Sequence, residues 1–312
     1  MLIESGSHVP GVDPADFGLW PNTALRYEIP CPALRRFIAD YHVLDSEVAP
    51  ETGPSEWMLP NSPAVRFILA DHSMALTLGA NDPETLPRAA LYGTTSRAAN
   101  MQHGGGGVTV GFNLTPVGFA RLFGANATVL RDRVVPLDHL LPPEWVAAVL
   151  DQLRASDRGP AVKGILDRAL PPLFAEPHPL EGDIQRIADM LLRPGVVNLA
   201  DEAAAIGMSQ RKLERLSSRF FGFPPKLLLR RARFLRSIVA LKLAGPPFDM
   251  SAIDPGYHDQ PHFIRDAHRF VGMAPTRFLR IATPYLDCVL RARAIVHGAA
   301  IAALAPSGKG SR

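Results

Sequence analysis

The stretch "NLADEAAAIGMSQRKLERLSSRFFG", residues 198–222, decides how the chain is read. Asn198 is a good helix N-cap, the short helix after it ends at Gly207, and Ser209 caps a second helix. In that second helix Leu213, Leu216 and Phe220 line one face at i, i+3 and i+7. Two helices joined by a tight glycine turn make a helix-turn-helix. Ala203 is small enough for a close crossing, and Gly207 can take the left-handed turn. With Ile206, Met208, Leu213 and Leu216 inward, Gln210, Arg211, Glu214, Arg215 and Ser218 are left outward. A short polar face with two arginines suits a DNA major groove.

The same grammar returns 49 residues later in Ala252, Gly256 and Tyr257, followed by a helix with Phe263, Ala267 and Phe270 inward. Its sequence, "GYHDQPHFIRDAH" (256–268), first suggests a metal site, because His258 and His262 stand four apart with Asp259, Asp266 and His268 close by. The helix start removes that geometry. If Asp259 is the N-cap and Pro261 sits in the first turn, His258 falls outside the helix. Gln260, His262, Arg265, Asp266 and Arg269 then face outward. Pro255, just before the turn, predicts a short or distorted preceding helix. "PPKLLLRRARFLRSIVALKLAG" (224–245) reads as one longer helix holding the two units at a fixed separation.

Charge divides the chain in the same way. The net charge of +3 hides −6 over residues 1–155 and +6 over 180–282, so one half is suited to a polyanion and the other is not. With 312 residues, 47% hydrophobic and 20% charged, there is material for two globular domains. No apolar run is long enough for a membrane span and the N-terminus has no signal-peptide order, so a cytoplasmic protein with no membrane partner is expected. Cys31 and Cys288 support neither a disulfide framework nor a cysteine zinc site.

The front half holds short β-like runs: "AVRFILA" (64–70), "MALTLGA" (74–80) and "GVTVGFNL" (107–114), the last followed by a helix opening in "TPVGFARLFG" (115–124). They predict a small sheet or barrel. Helical periodicity takes over from 143 to 172, and the proline-rich "PPLFAEPHP" (171–179) is the natural boundary. The expected organisation is a β-rich sensing and association domain (1–142), a helical linker (143–177), a helix-turn-helix domain (178–282), and a C-terminal helix with a flexible tail (283–312). Trp57, Phe67, Leu69, Leu78, Tyr92 and Phe112 are candidates to line an effector pocket, or to be plain core. "QHGGGGV" (102–108) resembles an esterase oxyanion loop, but no G-x-S-x-G accompanies it and a hairpin loop is the simpler reading. His72 and His103 are too isolated for a cupin metal site, and "SGKGSR" is no phosphate loop, so no enzyme activity, metal or cofactor is expected.

Together, "GMSQRKLERL", "GYHDQPHFIRD" and the closing "RFVGMAPTRFLR" (269–280) resemble the DNA-binding domain of AraC/XylS-type transcriptional regulators over roughly residues 180–282. "GFNLTPVGFARLFG" (111–124) and "VVPLDHLLP" (134–142) are similar to the cupin-like sensing domains found ahead of that module. The resemblance implies an α+β chain: a small β-barrel or cupin-like domain, a linker, and an all-α domain that places two recognition helices in successive major grooves. It implies double-stranded DNA as partner, a small-molecule effector, a homodimer and contact with RNA polymerase. Base-reading positions carried over are Arg211, Glu214, Arg215, Gln260, His262 and Arg265. Ser209, Arg219, Lys226, Arg230, Arg231, Arg236 and Arg269 are candidates for the DNA backbone. Glu202, Ser251, Ser217 and Ala267 depart from the family's apolar pattern. The alternative is a small-molecule-binding protein or enzyme acting through the front half, with a degenerate helix-turn-helix behind it.

Overall fold

The computed structural model describes residues 2–47, 56–71, 73–79, 81–103, 106–124, 126–193, 195–196 and 198–298. His72, Gly104, Gly105, the tail after 298 and its "SGKGSR" lie outside the described residues, as does the side chain of His103.

The front half contains β1 (Thr23–Glu28), β2 (Ile38–Ser46), β3 (Glu56–Met58), β4 (Ala64–Ile68), β5 (Met74–Leu78), β6 (Glu84–Thr85), β7 (Ala89–Tyr92), β8 (Ala99–His103), β9 (Gly107–Leu114) and β10 (Val134–Pro136). They form two antiparallel sheets, one in the order β1-β2-β9-β4-β7-β10 and the other β3-β8-β5-β6. Alternation along the strands gives the larger sheet two different faces. Val43, Val65, Phe67, Val110 and Phe112 enter one core, whereas Leu25, Tyr27, Ile68 and Tyr92 enter smaller clusters on the other side.

The first face is covered by helices. α1 (Pro116–Phe123) starts where Thr115 Oγ1 accepts from Gly118 N at 2.9 Å. Gly118 is required for the close approach, since a Cβ there would lie 1.9 Å from the carbonyl oxygen of Phe37. After α2 (Ala127–Leu130) come α3 (Pro143–Ala155) and α4 (Pro160–Ala169), the expected linker. These two helices do not stand clear of the domain. Asp167 on α4 accepts from Tyr41 Oη and from Cys31 N, each at 2.9 Å, and Val149, Leu153 and Leu166 are buried in the sheet's core.

The back half holds α5 (Glu181–Leu192), α6 (Leu199–Ala205), α7 (Gln210–Phe221), α8 (Pro225–Ala244), a 3-10 turn at Met250–Ala252, α9 (Gln260–Val271), α10 (Pro275–Arg280) and α11 (Pro284–His297). Ile184, Ile187, Leu213, Leu216 and Phe220 belong to the same core as the first sheet, so the proline-rich boundary near 177 is not a seam in the packing. α9, α10 and most of α8 build a second core around Phe234, Phe263, Phe270 and Phe278.

α11 returns to the front half. Its Cys288 and Ala292 pack with Phe17, Leu25 and Tyr27 on the second face of the large sheet. Its first backbone N–H groups are satisfied from that side, because Tyr285 N and Leu286 N each donate to Glu56 of β3 at 3.0 Å.

Candidate DNA-reading faces and an interdomain cavity

In the first helix-turn-helix, Asn198 Oδ1 accepts from Ala200 N at 2.9 Å and Ser209 Oγ from Lys212 N at 3.2 Å. Gly207 between them has φ +72°, the left-handed turn a side chain would resist. Arg211, Glu214, Arg215 and Arg219 are exposed on α7, with Glu214 accepting from Gln210 Nε2 at 2.9 Å. Lys212 instead turns back to Asp183 of α5, at 2.6 Å. Glu202, which departs from the family's apolar pattern, forms an ion pair with Arg193.

The second unit repeats the first at an offset of 50 residues, cap on cap from Ser209 to Asp259, whose Oδ1 accepts from His262 N at 2.7 Å. Phe263 and Phe270 take the buried places of Leu213 and Phe220, and Asp266 takes that of Leu216. The expectation that Asp266 faces outward is therefore corrected: it is fully buried. An aspartate survives there because Arg230 donates to one oxygen, through Nη2 and through Nε at 3.2 Å, and Tyr257 Oη to the other at 3.0 Å. By the same offset the outward counterparts of Gln210, Glu214, Arg215 and Ser218 are Gln260, Ile264, Arg265 and His268, all exposed. Ile264 and His268 escaped the sequence reading, although a 50-residue self-alignment on the two caps finds them. His262 is half-buried, its ring edge-on to Tyr257 at 5.1 Å, and stacks on His258 at 6.3 Å between centroids.

The segment before Pro255 has no first α-helix, only the single 3-10 turn. In its place, α8 presents a stripe of guanidinium groups. Arg230 holds Asp266, Arg233 Nη1 donates to Gly256 O at 2.8 Å, and Arg236 Nε donates to Asp254 Oδ2 at 2.7 Å. Gly256 fits there without a left-handed turn, and a Cβ would meet Asp254 Oδ1 at 3.0 Å. Three of the backbone-contact candidates are thus committed elsewhere. Arg230 and Arg236 are in ion pairs, and Arg231 Nη1 donates to Thr95 O at 2.9 Å and Asn61 O at 3.3 Å in the front half. Burial pulls the Arg231 guanidinium down to about 10, against the nearby charge of Asp132. Ser209, Arg219, Lys226 and Arg269 remain exposed.

Between the second face of the large sheet, β3, α8 and α11 lies a cavity of about 1100 Å³, its solvent-facing mouth included. Trp57 and Tyr92 line it, and Leu78 lines a smaller recess next to it. Phe67, Leu69 and Phe112, expected beside them, are in the core on the opposite face. The strand period of two explains this, since Arg66, Ile68 and Asn113 point into the cavity and their chain neighbours must point away. Burial pushes the Glu56 carboxyl up to about 7, although the backbone N–H groups of Tyr285, Leu286 and Trp57 favour its charged form. Burial also acts upward on Asp40, behind the cavity wall. The hydrogen bond with His42 and the charges of Arg293, His42 and His297 outweigh it and hold Asp40 down at about 2. Burial lowers both His42 and His297, against the opposing charge of Asp40. Among the described residues no group of three His, Cys, Asp or Glu side chains could hold a metal ion, and no helix is long and apolar enough to cross a membrane.

Two capped helices with outward polar faces on a common frame, behind a β-rich half that encloses a cavity, define a helix-turn-helix regulator. Residues 203–281 match the family model described as a helix-turn-helix domain, of the AraC type, and residues 27–136 match a domain of unknown function, DUF6597. The chain has an AraC-type helix-turn-helix domain at its C-terminus and is a DNA-binding transcription regulator. Among solved structures it is similar to ToxT from Vibrio cholerae. The strain SCE256 protein with a bound unsaturated fatty acid is 14% identical, covering 73% of this chain and 90% of that one at a TM-score of 0.42. ToxT from Vibrio cholerae O395 is also 14% identical, over 74% and 95% at 0.41. A third ToxT structure is 13% identical, over 74% and 96% at 0.43. No curated protein matches the chain.

Proposed function

We propose that the protein reads a specific double-stranded DNA site with both units and responds to a small molecule held in the interdomain cavity. The observation that carries this is the matched pair of caps at Ser209 and Asp259, which puts Arg211 and Arg215 of α7 in the same frame as Ile264, Arg265 and His268 of α9. α8, 20 residues long, spans about 30 Å, close to the roughly 34 Å between successive major grooves on one side of a duplex. In this reading Gln260 and Arg265 address base edges, and Ile264 offers an apolar contact to a thymine methyl. His262 supports Tyr257 rather than reading a base. Ser209, Arg219, Lys226 and Arg269 address phosphates. A homodimer on repeated sites, in contact with RNA polymerase, is the arrangement the family resemblance implies.

The test is anisotropy titration of the full chain on its own upstream region and on scrambled DNA, over a series of salt concentrations. Specific binding should weaken steeply with salt. Arg211→Ala and Arg215→Ala should cost about 1–3 kcal/mol on the specific site and little on scrambled DNA, whereas Lys226→Ala weakens both alike. Indifference to sequence and salt refutes the proposal.

A further inference from the structure

We infer that the segment between β7 and β8, held to α8 by Arg231, is a clamp that fixes the distance and angle between the two recognition helices. The front half thereby takes part in setting which half-site spacing the protein accepts, and Arg231 is a positioning residue for DNA reading. This deepens the two-unit reading and rests on it. α8 is one helix, but it crosses between two separate cores. Leu228 belongs to the core shared with the large sheet and α7, whereas Ala232, Phe234 and Leu235 belong to the second core, with α9 and α10. Arg231 stands at that seam, where its Nη1 donates to Thr95 O at 2.9 Å and Asn61 O at 3.3 Å. A guanidinium directed at two carbonyl oxygens fixes an orientation that apolar packing alone leaves free to slide.

The same segment meets the C-terminal ends of both recognition helices. At α7, a Cβ on the capping Gly222 would stand 3.6 Å from Cβ of Thr94 and 3.4 Å from Ala127 O of α2. At α9, Ala98 N donates to Phe270 O at 2.6 Å, and Ala98 is buried in the second core, against which Trp57 and Leu59 of the front half also pack. Thr94 and Ala98 are four positions apart, so the two helix ends are tied within about 14 Å of chain. The segment is held firmly enough to act as a spacer. Ser96 donates to Asp132 through N at 2.6 Å and through Oγ at 2.8 Å, and Asp132 N donates to Thr94 O at 2.9 Å. Thr95 N donates to Asn61 O at 3.0 Å, and at Gly93 a Cβ would lie 1.8 Å from Leu130 O, so only glycine lets the chain pass this close to α2. The candidate reading residues lie towards the other end of each helix. Gln210, Arg211 and Glu214 on α7, and Gln260, Ile264 and Arg265 on α9, fall in the first two turns and are exposed, so the clamp holds both helices without covering those side chains.

The experiment titrates the full chain by anisotropy against the specific site from its upstream region, that site with either half scrambled, and versions with one base pair inserted or deleted between the halves. One base pair shifts a half-site by about 3.4 Å and turns it by about 35°. The wild type should lose about tenfold or more in affinity on either change of spacing. Arg231→Met should narrow that penalty to within about threefold, while Arg231→Lys keeps part of it, since an ammonium still donates to carbonyl oxygens. A loss of stability alone weakens binding to every duplex alike and leaves the ratio unchanged. Circular dichroism and Tm establish that the variants fold. Independently of them, hydrogen exchange on the wild type should find the Ala98 amide as protected in the DNA complex as in the free chain. A penalty that survives Arg231→Met overturns the inference. So does a wild type that tolerates altered spacing although both halves matter, or an Ala98 amide that opens on DNA. A second half-site whose scrambling costs nothing refutes the two-unit reading itself, and the clamp's role in spacing goes with it.

Discussion

Replacing Asp266 by alanine should loosen the second recognition helix while leaving the first intact. Three hydrogen bonds are lost: two from Arg230, one of them at 3.2 Å, and one from Tyr257 Oη at 3.0 Å. The Arg230 side chain is 34% exposed, so water takes over much of its pairing and its share is about 1 kcal/mol. Tyr257 is 7% exposed, and its hydroxyl loses its acceptor, at about 1–3 kcal/mol. The sum is about 3 kcal/mol, or roughly a hundredfold in a local opening equilibrium. Hydrogen exchange on the α9 amides measures it directly, with α7 amides as the internal control. Adding Tyr257→Phe to the alanine variant should recover part of the loss, since the unpaired hydroxyl goes with it. A loss of protection below tenfold refutes this account of the buried aspartate. So does loss of specific DNA binding with α9 protection unchanged, which would return Asp266 to a base-reading role.

Other outcomes follow from single contacts. Asp259→Ala removes the α9 cap and should cost about 1 kcal/mol, seen as faster exchange in its first turn. Gly118→Ala places a methyl 1.9 Å from a backbone oxygen and should lower Tm by about 10 °C, whereas Gly182→Ala, with open space around it inside α5, should raise Tm slightly. The raised Glu56 carboxyl gives a pH dependence with a definite sign. Its contribution is fully present below its unfolded value of 4.5 and is lost as pH rises through about 7, on the order of 3 kcal/mol. Urea unfolding at pH 5 and pH 8 should show the wild type weakening across that interval and Glu56→Gln changing less. An equal slope in both proteins places the titration elsewhere.

What was legible in the sequence was local. The caps Asn198, Ser209 and Asp259, the α8 span and the strand 107–114 are written in a few adjacent residues, and the structure has them where those residues put them. β1 and β2 were harder to see because Arg26, Glu28, Asp40 and Asp45 interrupt their apolar pattern. Those charges are buried, and Arg26 pairs with Glu28 at 2.8 Å while Asp45 accepts from Ile3 N at 2.9 Å. Asp266 and the arginines of α8 misled for a related reason, as a charge reads as surface until its partner, 36 residues away in the chain, is known. The cavity depends on strand parity, which decides between Phe67 and Ile68, and on the docking of α11, which nothing local announces.

That docking bears on how such a chain can be rearranged. Tyr285, Leu286, Val289, Leu290 and Arg293 of α11 supply one wall of a cavity whose floor is the sheet beginning at Thr23. A hybrid made by joining residues 1–177 to a foreign DNA reader would inherit a cavity without its α8 and α11 walls and a sheet face uncovered. The cavity is thus discontinuous in sequence, drawing on the front half, on Leu235 and Val239 of α8 and on residues of α11. α9 and α10, which lie between α8 and α11 in the chain, are joined to the cavity at both ends.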